Sequence, residues 1–81
     1  MGRYYAIGGD VFDGVGHVVP FATIPAIVES WGRCAITADH SGGRRIARLY
    51  ARTALDLHSA YERARMWRRA SGCLPSVGAA A

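Results

Sequence analysis

Apolar positions along the chain fall into two periods, one near the start and one through the second half. Arg3-Tyr4-Tyr5-Ala6-Ile7 is rich in aromatic and β-branched side chains and ends at Gly8-Gly9-Asp10, which predicts a short strand. Val11 to Gly16, with glycines at 14 and 16, reads as a loop. His17-Val18-Val19 predicts a second short strand, held to a sheet edge by Pro20. Ile24, Ile27, Val28 and Trp31 then share one helical face. Thr23 is the expected cap, Pro25 fits the first turn, and Gly32 is the expected left-handed end. Cys34 to Ala38 alternates like a strand, with Cys34, Ile36 and Ala38 on one side.

The second period is longer. Ile46, Tyr50, Thr53, Leu57, Ala60, Ala64 and Trp67 step alternately by four and three residues, and Leu49, Ala54 and Tyr61 widen the stripe. No Gly or Pro interrupts Arg44 to Ala70. One reading is a single amphipathic helix over 44–70. The other turns a hairpin at Ser41-Gly42, makes Arg44–Ala51 a strand and caps a shorter helix at Thr53. The abundance of Ala, Arg and Leu favours the long helix. The expected fold is therefore α+β: two or three short strands, a short helix and a long C-terminal amphipathic helix. The expected organisation is one compact domain over 1–72, followed by a small-residue tail over 73–81.

Composition changes this picture in one way. The chain has 81 residues and a net charge of +4, with no Lys, Asn or Gln. Lacking Lys, it has neither a phosphate-cradling G-x-x-x-x-G-K loop nor a Schiff-base lysine. Lacking Asn and Gln, it has no bidentate reader of adenine. Residues 1–43 set Arg3 and Arg33 against Asp10, Asp13, Glu29 and Asp39, a net of −2. Residues 44–81 set eight arginines against Asp56 and Glu62, a net of +6.

Candidate chemistry is sparse. His17, His40 and His58 are isolated, and no H-E-x-x-H or C-x-x-C occurs. Asp10 to Gly14 lacks the alternating oxygens of a calcium loop and reads as a turn. Gly14-Val15-Gly16 lacks the third glycine of a dinucleotide fingerprint, because Val19 stands there. Nothing orders Cys34, Asp39 and His40 into a nucleophile set. The two cysteines read as one buried thiol, Cys34, and one tail thiol, Cys73. No catalytic role, metal or cofactor is expected. No stretch is long and apolar enough to suggest a signal or a membrane span, so the expected location is cytoplasmic.

The arginines remain. Arg44, Arg45, Arg48 and Arg52 crowd the start of the long helix, where positive charge opposes the macrodipole. Arg65 and Arg69 flank its apolar stripe further on. These six are the candidate partner-binding residues, for a host protein, a nucleoprotein complex or nucleic acid. In size and character the chain resembles phage and mobile-element accessory proteins of the anti-CRISPR type. That resemblance implies an inhibitor that blocks a host nucleoprotein complex through a charged surface. Two other readings stand beside it. Ile46 to Leu57 looks like a degenerate helix-turn-helix with Ala51 at the turn, which points to a small DNA-binding regulator. The helical stripe would also suit a structural or assembly subunit that pairs with copies of itself.

Overall fold

The computed structural model describes residues 3–71. The chain is α+β, with strands β1 (Tyr5–Ile7), β2 (Asp10–Phe12) and β3 (Val18–Val19) followed by helices α1 (Ile24–His40) and α2 (Arg44–Ala70). The strands form one antiparallel sheet in the order β1-β2-β3. Tyr5 pairs with Phe12, Ile7 with Asp10, and Phe12 with Val18. The expected tail, with Cys73, lies outside the described residues.

The β1–β2 turn contains only Gly8 and Gly9. Gly8 has a φ of +62°, which suits the first position of a two-residue hairpin. Gly9 is small because α2 passes close by: a Cβ there would lie 2.8 Å from Arg68 Cγ. Asp13 organises the β2–β3 turn. Its Oδ1 accepts the N–H groups of Val15 and His17, each at 2.9 Å. The His17 bond is the main cause that holds the Asp13 carboxyl below its ordinary pKa. The stretch from Val11 does not begin as loop, since Val11 and Phe12 lie in β2. Val11 and Phe12 sit opposite Val19 and Val18, and that pairing is not visible in the local pattern. β3 lies at an edge, as Pro20 requires.

Four expectations fail in α1: the end at Gly32, the strand over Cys34–Ala38, the buried Cys34 and the Thr23 cap. The helix runs through Gly32 to His40, so Cys34–Ala38 is helix and not strand. The physical reason is visible in the burial: Ile24, Ile27, Val28, Trp31, Gly32, Ala35 and Ala38 are the covered or half-covered positions. That is one helical stripe carried onward by alanines. Cys34 falls off this stripe and is exposed, contrary to the expected buried thiol. Thr23 occupies the cap position without capping, because its hydroxyl donates to Pro20 O at 2.7 Å.

The left-handed end is Gly42, ten residues later than expected, with a φ of +83°. Gly43 N–H bonds to Ala38 O (2.8 Å) and Gly42 N–H to Asp39 O (3.0 Å). This paired pattern satisfies the last carbonyls of α1 and turns the chain directly into α2. Here the long-helix reading holds: α2 is 27 residues of unbroken helix, about 40 Å long.

The core is small. Val11, Ile24, Leu57, Ala60 and Ala64 are buried together, with Tyr4, Ala6, Val19, Phe21 and Tyr61 packed around them. Ala60 and Ala64 let the sheet approach α2 closely. Polar contacts fix the sheet to the same half of the helix. Tyr4 N–H donates to Asp56 Oδ2 at 2.8 Å, and Arg68 Nε donates to Gly9 O at 2.6 Å. The Arg68 guanidinium lies 3.8 Å over the Phe21 ring, and Phe21 stacks on Tyr61. The sheet therefore covers α2 from about Asp56 to Arg68. Beyond it the helical hairpin projects with Trp31 against Tyr50, and on α2 there Ala47 and Thr53 are the buried positions.

Candidate functional site

Helix geometry decides which arginines act together. At 3.6 residues per turn, Arg44, Arg45, Arg48 and Arg52 fall within an arc of roughly 100° on the solvent side of α2. All four are exposed. Among the described residues no carboxylate lies within ion-pair distance of any of them, since the ion pairs involve Arg33, Arg65 and Arg68. Four of the six candidate residues are thus one patch.

Arg65 and Arg69 stand apart. From Arg52 to Arg65 the axis rises about 20 Å and the azimuth swings to the opposite flank. Arg65 is tied to Glu62 at 3.1 Å. Arg69 is exposed on that flank, without such a tie.

One arginine outside the original six belongs with the patch. Arg63 follows Arg45 by 18 residues, about five full turns, so the two share one azimuth. Arg52 lies between them on nearly the same line. Arg45, Arg52 and Arg63 therefore form a straight ridge about 27 Å long, with Arg44 and Arg48 beside its first part. Arg63 stands in the sequence on the flank of the apolar stripe opposite Arg65 and Arg69, and its 18-residue spacing from Arg45 is what joins it to the patch. Arg3 is a second addition. It lines a groove with Leu49, Arg52, Thr53, Asp56 and Ser59, where the chain enters β1.

Arg68 is different in kind. It is half-buried, and its bonds to Gly9 and Asp10 spend its guanidinium on the fold. Its stem does run over the core, as its place in the apolar stripe required.

Other candidate chemistry is dispersed. Cys34, Asp39 and His40 point to different sides of α1 by helical spacing. Asp13 spends its carboxylate on its own turn. Among the described residues no group of three His, Cys, Asp or Glu is placed to hold a metal ion. None of the described helices is long and apolar enough to cross a membrane. Ile46 to Leu57 is uninterrupted helix, without the break at Ala51 that a helix-turn-helix needs in that stretch. Compared with family models, curated proteins and solved structures, the chain matches none.

Proposed function

We propose that this chain is a non-catalytic binding protein of the inhibitor type, which lays the arginine ridge of α2 along the phosphate backbone of a nucleoprotein complex and obstructs it. The observation that carries this reading is the line of Arg45, Arg52 and Arg63 on one helix face, exposed and without carboxylate partners among the described residues. Such a line follows a polyanion better than it follows a compact acidic site. Guanidinium groups also suit phosphate oxygens through paired N–H donors. Recognition of this kind is independent of sequence, which agrees with the lack of Asn and Gln for reading adenine.

The test is a titration of labelled single-stranded and duplex nucleic acid followed by fluorescence anisotropy. Replacing Arg45, Arg52 and Arg63 with Ala is expected to weaken binding by more than tenfold, whereas Arg65→Ala with Arg69→Ala costs a few-fold. Equal losses from the two variants would remove the ridge from the account.

A further inference from the structure

The arginine ridge has a gap, and a groove lies in it. Arg45 and Arg52 stand about 10 Å apart along the helix axis, whereas Arg52 and Arg63 stand about 16 Å apart. Asp56 and Ser59 occupy the wider interval, each within about 40° of the ridge line. The line thus carries a carboxylate in the one stretch where its own guanidinium groups are far apart.

Arg3 enters this gap from outside the helix. Tyr4 N–H donates to Asp56 Oδ2 at 2.8 Å, which holds the preceding residue beside the same turn of α2. Arg3, Arg52, Asp56 and Ser59 line one open groove of about 510 Å³, with Leu49 and Leu55 among its walls. Sites for small ligands measure roughly 300–1,000 Å³. Among the described residues the ion pairs are made by His17, Arg33, Arg65 and Arg68, so neither Arg3 nor Arg52 is engaged by Asp56. Leu55 stands about 200° around the helix from the buried Leu57 and is 68% exposed, so the core has no use for it.

Resting on the ridge reading above, we infer that this groove takes one nucleotide of a single strand whose phosphates follow the ridge. The phosphate lies between Arg3 and Arg52, and the sugar and base lie on Leu49 and Leu55. Ser59 adds a hydroxyl as donor. The chain therefore prefers single-stranded nucleic acid to duplex.

Charge and continuity support this occupant. Two guanidinium groups and one carboxylate leave the groove a single positive charge, which one phosphodiester neutralises. The groove also lies on the ridge line itself, so a strand that meets Arg45 and Arg63 passes over it. Backbone contacts alone would give no reason for leucine walls, whereas the apolar part of a nucleotide does. In a duplex the bases are paired and stacked, and the leucines meet nothing. In a single strand a base is free to turn out and lie against a protein surface.

Two end-labelled strands test the inference with the full chain by fluorescence anisotropy. One is an oligothymidylate, and the other is an abasic strand of the same length and phosphate charge. The parent is expected to bind the intact strand roughly fivefold more tightly, the effect of covering about 40 Å² of apolar surface. Leu49→Ala with Leu55→Ala alters two exposed positions. This variant is expected to keep its helical circular dichroism and lose the preference for the intact strand. Arg3→Ala is expected to weaken both strands by a similar factor. Equal binding of the two strands by the parent overturns the groove and leaves the ridge standing. A preference that survives the double leucine variant overturns the groove too, as does an Arg3→Ala variant that binds like the parent. Binding of neither strand removes the ridge, and the groove with it.

Discussion

Individual glycines set the boundaries of this fold, and their roles depend on backbone angle rather than on residue type. Gly42 has a φ of +83° and ends α1, whereas Gly32 lies inside the helix with open space where a Cβ would go. Gly42→Ala is therefore expected to destabilise the chain by about 1–2 kcal/mol. Gly32→Ala is expected to stabilise it by about 0.5–1 kcal/mol, because glycine in a helix carries an entropic cost that alanine lacks. Chemical denaturation of the two variants checks both signs. The sequence offers Gly32 as the helix end and Gly42 as part of a turn. Gly32 follows the bulky residues Ile27, Val28 and Trp31, and beyond it the stripe continues only through Ala35 and Ala38, whose small side chains hide the period. Arg68 shows the same limit: its place in the apolar stripe is legible, but its partner Gly9 lies 59 residues away.

At the scale of elements, α2 is legible because its period is long and unbroken, and α1 is half legible because its second part imitates a strand. Cys34, Ile36 and Ala38 alternate with Ala35 and Thr37, and five residues do not separate a period of two from one of 3.6. The burial of α2 follows its stripe closely at Thr53, Leu57, Ala60 and Ala64. Leu57→Ala is expected to cost about 2–4 kcal/mol, as for other buried leucines. Leu55→Ala, two residues away but 68% exposed, is expected to change stability by less than about 0.5 kcal/mol. Thermal unfolding of the two variants compares them directly. The start of α2 is costly in another way. Gly43 gives no side-chain cap, the first turn holds no acidic residue, and Arg44 and Arg45 oppose the helix dipole. Arg44→Glu is expected to stabilise the chain by about 0.3–1 kcal/mol while weakening its hold on polyanions. A loss of stability would mean that Arg44 serves the fold and not a partner.

The whole molecule is long, measuring 51 × 20 × 16 Å. Its radius of gyration of 14.8 Å exceeds the roughly 12 Å expected for a compact chain of this length. The sheet gathers the core at one end, and the helical hairpin carries Arg44, Arg45, Arg48 and Arg52 toward the other. This arrangement was only partly legible. The arginine-rich second half is plain in the sequence, but where the sheet docks, and hence which side of α2 stays open, depends on contacts such as Tyr4 with Asp56 that no local pattern records. The central claim is that the open side is a phosphate-binding ridge. Its most direct test is the salt dependence of nucleic acid affinity. If five arginines (44, 45, 48, 52 and 63) displace counterions from a duplex, the logarithm of the affinity should fall against the logarithm of salt with a slope of about −4.5. The slope should drop by about 3 when Arg45, Arg52 and Arg63 are replaced with Ala. A slope near zero, or the absence of binding at low salt, would contradict the account and leave the ridge as a solvated helix face.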